Sequence, residues 1–104
     1  MNKEMDSQVI LITSAKPGEG KTSMASNLAW AFASVGARTL IIDSDLRRGR
    51  VHDVLGVSNE FGLSDVLMER IPLDQAIRPT EVPNLFVLTR GGIYPGATER
   101  LCTT

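Results

Sequence analysis

Cysteine and histidine are scarce in this sequence. The 104 residues include one cysteine, Cys102, and one histidine, His52. One cysteine excludes an internal disulfide framework, fits a reducing compartment, and has no acid–base neighbours that would make it a catalytic thiol. His52 has no Cys or His at metal-ligand spacing, so a surface or packing role is expected for it. Thiol, disulfide and zinc chemistry are therefore not expected.

Strong charge imbalance and long apolar runs are also lacking. The chain has 11 Lys and Arg against 12 Asp and Glu, a net charge of −1. This balance leaves no electrostatic footprint for nucleic acid or an anionic membrane, and the basic cluster at 47–50 is too short to supply one. The apolar runs are too short for a signal peptide or a membrane span. With 42% apolar residues, the composition predicts a globular, cytoplasmic protein.

One short stretch organises the sequence. An apolar run, 9–12, leads into a glycine-containing turn and then into an alanine-rich segment that favours a helix. A strand, a glycine turn ending in Gly-Lys-Thr and a helix are the order that a phosphate-binding P-loop requires. Ala15 stands where the pattern G-x-x-x-x-G-K-[ST] has its first glycine. The predicted nucleotide-binding residues are Lys16, Pro17, Gly18, Glu19, Gly20, Lys21, Thr22 and Ser23.

The alternative for this stretch is an ordinary strand-to-helix turn with a solvated lysine. In the P-loop interpretation, Lys21 reaches the β- and γ-phosphates and the Thr22 hydroxyl binds Mg²⁺. Lys16 could supply a second cation to the phosphates, within the chain or across a dimer interface, or could be a solvated loop residue.

The elements around the turn are predicted from apolar spacing. The β-branched run 9–13 is typical of a strand buried on both faces of a parallel sheet. The helix from Lys21 to Val35 carries apolar residues at helical spacing that we expect to face the sheet. These residues are Met24, Leu28, Phe32 and Val35.

Two acids lie at the carboxyl end of the second predicted strand, 38–43. Strand, helix and strand make a right-handed βαβ unit, whose ligands bind at the carboxyl ends of the strands. Asp43 and Asp45 lie at that end and are expected beside the phosphate turn. One could hold Mg²⁺, directly or through water, and one could accept a proton from an incoming hydroxyl. The alternative is a pair of solvated acids at a strand end.

The remaining chain predicts short helices and one more strand. The expected segments are a helical turn at 51–55, helices at 63–70 and after Pro72, a strand at 84–89, a glycine- and proline-rich loop at 91–96 with an exposed Tyr94, and an incomplete helix at 98–104. The predicted fold class is α/β, a P-loop NTPase-type parallel sheet flanked by helices and truncated after the third strand. Residues 1–104 would be the N-terminal part of a single nucleotide-binding domain.

Several motifs resemble one known family. Residues 14–22 resemble the Walker A motif of the bacterial tyrosine kinases that regulate capsule and exopolysaccharide chain length. Residues 41–48 resemble their second acidic motif, Walker A′, and the likeness continues through 61–67 and 84–88. Lys16 stands where the wider deviant-Walker ATPases of chromosome partitioning and division-site placement have their signature lysine.

This resemblance implies an ATP-binding, Mg²⁺-dependent tyrosine kinase domain that autophosphorylates in trans within ring-like oligomers. By the resemblance, Lys21 stabilises the transferring phosphoryl group, and Thr22, Asp43 and Asp45 are metal ligands. Asp43 and Asp45 are also candidate bases for a tyrosine hydroxyl. The implied partners are ATP, further copies of the chain or a membrane-anchored activator of polysaccharide export, which would place the protein at the inner face of the membrane.

The chain also departs from the family pattern. No strand ending in a Walker B aspartate follows Leu88, Gly49 stands where the family usually has proline, and the loop at 91–100 lacks the expected prolines. The family's preceding oligomerisation helix and its C-terminal tyrosine cluster are not present. Enzymatic activity is therefore left open. Two other functions stay open as well: an ATPase switch of the partitioning or division-site type, and a nucleotide-binding fragment without catalysis.

Overall fold

The computed structural model describes residues 8–13 and 21–103, with side chains for 8–13 and 24–101. Strands and helices alternate along the first half, and short helices dominate the second. In chain order the elements are β1 (Gln8–Thr13), α1 (Lys21–Ser34), β2 (Arg38–Asp43), α2 (Val51–Leu55), α3 (Leu63–Leu67), α4 (Leu73–Ala76), β3 (Arg78–Pro79), β4 (Leu85–Leu88) and α5 (Ala97–Thr103).

The described strands form one sheet in the order β1-β2-β4-β3. β1, β2 and β4 run parallel, with Thr13 level with Asp43 and Ile42 level with Leu88. This confirms the parallel α/β sheet with flanking helices. The antiparallel β3 was not predicted from the sequence, because it is only two residues long and contains Pro79, which lacks an N–H for the ladder.

The prediction for the sheet-facing side of α1 was wrong. Ala29 and Ala33 are 0% and 2% exposed and pack with Ile41 and Val87 of the sheet. Small side chains allow the helix to approach the strands closely, and both the alanines and the larger residues recur at helical spacing. The larger set therefore points outward, with exposed fractions of 37–79% for Met24, Leu28, Phe32 and Val35.

The prediction that β1 is buried on both faces was also wrong. Leu11 packs against the core beneath α1, but Ile10 and Ile12 on the opposite face are 61% and 64% exposed. Side chains alternate between the two faces of a strand, and β1 lies at the end of the described sheet. One face of this strand is therefore left open to solvent.

The later elements match the sequence more closely. The helical turn at 51–55 is confirmed, and a short helix follows Pro72 as expected. α3 ends at Leu67, before the predicted Arg70, and Glu69 has a positive φ of 60° that a helix cannot continue through. Asn84 has a φ of 70°, so the strand begins one residue later than predicted.

Candidate functional site

The ends of β1 and β2 meet at the carboxyl edge of the sheet. Thr13 Oγ1 donates a hydrogen bond of 3.2 Å to Asp43 Oδ1, and the backbone N–H of Ser44 donates to the Thr13 carbonyl at 3.0 Å. The Ser44 hydroxyl donates to the same carbonyl. The last residue of each strand is thus fixed to the other.

The Asp43 carboxylate is 0% exposed and organises the segment that follows it. The N–H of Asp45 donates to Oδ1 at 3.1 Å and the N–H of Val51 donates to Oδ2 at 3.2 Å. Gly49 packs directly on the carboxylate, where an added Cβ would lie 2.1 Å from Oδ2. The chain from β2 to α2 therefore wraps around this one side chain.

Burial raises the pKa of the Asp43 carboxyl above its ordinary value, mainly because the charged form is desolvated. The hydrogen bonds from Val51, Asp45 and Thr13 act in the opposite direction, since they favour the carboxylate. A carboxylate already bonded to three donors positions its neighbours. Because its oxygens are already occupied, Asp43 is better suited to contact a metal ion through a water molecule than to bind the ion directly.

Asp45 is placed differently. It is half-buried, and its Oδ1 accepts a bond of 3.1 Å from the N–H of Arg48. Within the described part of the chain, its Oδ2 has no hydrogen-bond partner. Of the two predicted acids, Asp45 is therefore the one with an oxygen available to a ligand at this edge.

Arg90 joins the same edge and was missed in the sequence. It follows β4 and Thr89, and its Nε donates to the carbonyl of Gly49 at 3.0 Å, while its Nη1 donates to the carbonyl of Gly91 at 2.8 Å. The sequence did contain one indication of this position. Arg90 comes just after the third parallel strand, where charged groups come to the carboxyl edge of the sheet. Arg90 links the loop after β2 to the loop after β4.

The predicted phosphate-binding residues are only partly within the described structure. Lys16, Pro17, Gly18, Glu19 and Gly20 lie outside the described residues. The other three, Lys21, Thr22 and Ser23, form the first turn of α1, and their side chains also lie outside the description. Because α1 connects two neighbouring parallel strands, its N-terminus comes to the carboxyl edge of the sheet. The backbone thus brings this helix start to the edge that carries Asp43 and Asp45.

The two carboxylates at this edge could hold magnesium only together with other ligands. No group of three His, Cys, Asp or Glu side chains among the described residues could hold a metal alone. Magnesium usually keeps several waters and binds through one or two carboxylates together with substrate phosphates. Asp45, with its available oxygen, and Asp43 would supply these one or two carboxylates. None of the described helices is both long enough and apolar enough to cross a lipid bilayer.

Comparison with known proteins gives the family. A family model described as an AAA domain matches residues 7–100, which is nearly the whole chain. The chain belongs to this family.

Its relatives include tyrosine kinases and a cell-division ATPase. Tyrosine-protein kinase YwqD of Bacillus subtilis (strain 168) is 44% identical over 92 residues, covering 88% of this chain and 39% of that protein. The kinase domain of Escherichia coli tyrosine kinase ETK matches with a TM-score of 0.79 and 37% identity, over 95% of this chain and 38% of that one. The septum site-determining protein MinD of Pyrococcus horikoshii OT3, complexed with Mg-ADP, matches with a TM-score of 0.73 and 33% identity, over 90% of this chain and 39% of that one.

These findings confirm the resemblance to bacterial tyrosine kinases and the α/β fold. The chain spans about two fifths of these relatives. The fold alone does not separate the kinases from MinD, because both superpose on it.

Proposed function

We propose that this chain is the nucleotide-binding part of a Mg²⁺-dependent protein-tyrosine kinase that serves capsule or exopolysaccharide production. The observation that carries the proposal is the meeting of the α1 N-terminus with Asp43 and Asp45 at one sheet edge. The identity of 44% to a Bacillus subtilis tyrosine-protein kinase supports the kinase class. Its partners would be ATP and either further copies or a membrane-anchored activator, which would hold it at the inner face of the membrane. Nucleic acid is not a proposed partner.

Each predicted residue has a role in this proposal. Backbone N–H groups of 16, of 18–20 and of the first turn of α1 would bind the phosphates, Pro17 would shape the turn, and Lys16 and Lys21 would neutralise the phosphate charge. Thr22 and Asp45 would bind Mg²⁺, with Asp43 behind them; the ion would neutralise charge on the transferring phosphoryl group. Asp45 has one available oxygen, so it would either bind the ion directly or, with the ion held through water, accept the proton of an incoming tyrosine hydroxyl.

The first requirement of this proposal is that the chain binds nucleotide, which can be tested directly. Replacing Lys21→Ala removes a charged contact to phosphate worth about 1.5–3 kcal/mol, so we expect affinity for Mg·ATP to fall about 10- to 100-fold. Isothermal titration calorimetry measures this directly. Arg38→Ala is the matched control, because it removes one positive charge from an exposed residue at the amino end of β2. Equal affinity of wild type and Lys21→Ala, or no binding by the wild type, would refute the proposal.

A nucleotide-dependent switch is the second candidate. The match to MinD in complex with Mg-ADP, at 33% identity, and the presence of Lys16 favour it. A switch would dimerise when ATP is added and would carry no phosphotyrosine, whereas a kinase would form phosphotyrosine. Size-exclusion chromatography with and without ATP, followed by phosphotyrosine detection, separates the two.

The third candidate binds nucleotide without catalysis. Sustained phosphate release from ATP that is lost in Asp45→Asn would exclude it. Retained Mg·ATP binding with no phosphate release and no phosphotyrosine would support it over both other candidates.

A further inference from the structure

A cavity lies beside the candidate nucleotide site. Its volume is about 350 Å³, and the residues that line it include Leu46 and Arg47 on one side and Ile93 and Tyr94 on the other. Leu46 and Arg47 directly follow Asp45, the acid with an available oxygen. An extended chain advances at most about 3.6 Å per residue, so the Cα of Arg47 lies within about 7 Å of that of Asp45. The cavity therefore begins next to the acid that an incoming hydroxyl would face.

Tyr94 forms a fixed wall of this cavity. Its hydroxyl donates a hydrogen bond of 2.6 Å to Asp65 Oδ1, and Asp65 is 1% exposed. The Arg70 guanidinium carbon lies 5.4 Å from the centre of the Tyr94 ring. The sequence predicted an exposed tyrosine here, but the structure shows a half-buried one. Because its hydroxyl and one face of its ring are both in contact with other residues, the side chain has a fixed orientation.

The β4–α5 loop, residues 89–96, is also held by bonds that do not involve the tyrosine. Asn59 and Gly91 exchange two hydrogen bonds of 2.9 and 2.8 Å, and the N–H groups of Leu63 and Ser64 donate to carbonyls of the loop at 2.7 and 3.0 Å. The Ser64 hydroxyl donates to the Gly92 carbonyl at 2.6 Å. A ligand that enters a cavity with preformed walls does not have to order a loop. This cavity therefore needs no closing motion to bind one.

The charges around the cavity are separated. Arg47 is exposed, as is the next residue, Arg48, and neither makes a salt bridge with any residue that the structure describes. Glu99 lines the cavity from α5. The side next to Asp45 is thus positive, and the acid lies on the side formed by α5. An unpaired guanidinium group attracts carboxylates, which it binds through two parallel hydrogen bonds.

We propose that this cavity is a subsite for an acidic segment of a protein substrate, beside the tyrosine that accepts phosphate. With the tyrosine hydroxyl near Asp45, the next residue of an extended peptide lies about 3.3 Å further along its chain, within reach of Arg47. A carboxylate at that residue pairs with the guanidinium group, and apolar atoms of the peptide pack against Ile93 and the ring of Tyr94.

The inference rests on the proposed function, because only a kinase of this class requires an acceptor tyrosine. It adds the class of substrate, which is a peptide with Asp or Glu next to the tyrosine. It also assigns the selection of that substrate to one residue, Arg47.

Peptide binding tests the subsite. Three peptides share one sequence with a single tyrosine and differ only in the residues on either side of it, which are Glu, Gln or Lys. Fluorescence anisotropy measures their affinity for the chain with Mg²⁺ and a non-hydrolysable ATP analogue, at low ionic strength where exposed charges are least screened. We expect the Glu peptide to bind about two- to fivefold more tightly than the Gln peptide, and the Lys peptide to bind most weakly. Equal affinities would overturn the inference.

Arg47→Gln and Glu99→Gln are matched variants, because each removes one charge from the same cavity. Arg47→Gln should abolish the preference for the Glu peptide, whereas Glu99→Gln should retain or strengthen it. A preference for Glu that persists in Arg47→Gln would show that Arg47 does not select the substrate.

Ile93→Ser tests the apolar wall of the cavity. Ile93 is 66% exposed, so its replacement leaves the core intact, and circular dichroism checks that the variant is folded. We expect it to weaken all three peptides by a similar factor, since it removes apolar contact and no charge. Unchanged affinities would show that the peptide does not lie in this cavity.

The same samples separate this inference from the proposed function. If the ATP analogue binds and the three peptides bind equally, the subsite is refuted and the proposed function stands. If the Glu peptide is preferred but no nucleotide binds, the proposed function is refuted and the cavity remains a site for acidic peptides. A photoreactive benzoylphenylalanine next to the Glu should crosslink to residues 46–47 or 93–99 in mass spectra, and crosslinks confined to other segments would overturn the location.

Discussion

At the scale of single residues, Asp43 shows how one buried carboxyl can be structural and still lie at the candidate site. Its oxygens satisfy a hydroxyl and two backbone N–H groups from three different places in the chain. The sequence predicted Asp43 and Asp45 as an equivalent pair. The structure gives them different surroundings, because the alternation of a strand buries the first and the turn after the strand leaves the second half-buried.

Replacing Asp43→Asn should lower the free energy of unfolding at neutral pH by about 1 kcal/mol, because the amide cannot accept all the bonds that the carboxylate accepts. The folded-state pKa of Asp43 is raised, so the folded protein binds a proton more readily than the unfolded chain. The stabilisation that comes from this pKa shift is therefore complete below the pKa of Asp43 in the unfolded chain. It is lost as the pH rises through the pKa of Asp43 in the folded protein.

The advantage of wild type over Asp43→Asn should accordingly grow as the pH is lowered from neutral toward the ordinary aspartate range. Urea denaturation at a series of pH values measures it, and Asp74→Asn, an exposed residue, should show no such trend. An advantage that shrinks on acidification would mean that the hydrogen bonds outweigh desolvation.

At the scale of elements, α1 and β2 were predicted within a residue or two, yet the face of α1 was assigned wrongly. Helical spacing fits Met24, Leu28 and Phe32 as well as it fits Ala29 and Ala33. Periodicity alone cannot choose between two such stripes. The choice depends on how closely the helix can approach the sheet, which is a property of packing between distant parts of the chain.

Ala33→Leu should lower the free energy of unfolding by about 1–3 kcal/mol, because it overfills the contact between α1 and the sheet. Leu28→Gln, on the outer face, should change it by no more than about 0.5 kcal/mol. Chemical denaturation of both variants tests the observed orientation. If Leu28→Gln were the more damaging of the two, the packing face of α1 would be the one predicted from the sequence.

At the scale of the whole molecule, the chain presents a sheet that is covered on one face and partly open on the other. Ile10 and Ile12 lie on the open face of the first strand in the described sheet. An exposed apolar edge strand promotes association between chains. The sequence could not indicate this, since the same β-branched run would suit a strand covered on both sides.

If the chain self-associates through this face, Ile12→Lys should weaken that association at least about tenfold, given the 1.5–3 kcal/mol gained when an isoleucine is buried. Sedimentation velocity over a range of concentrations measures it. Asn27→Lys, on the exposed side of α1, adds the same charge elsewhere and serves as control. Unchanged association of Ile12→Lys, or equal weakening by Asn27→Lys, would show that this face is not the contact.

Part of the candidate site could be predicted from local sequence, and part depends on contacts between distant residues. The positions of Asp43 and Asp45 at the carboxyl edge followed from the order strand, helix, strand. The hydrogen bond between Tyr94 and Asp65 and the bridge made by Arg90 did not, because each joins residues that are more than 25 positions apart.

Arg90 makes the two loops at this edge mechanically dependent. Its side chain is bonded to the carbonyl of Gly49 on one side and to that of Gly91 on the other, and Gly49 in turn rests on Asp43. Any displacement of Gly91 would therefore act on the backbone that surrounds the acid. A rearrangement of the loop after β4 would be transmitted through this guanidinium group to the end of β2.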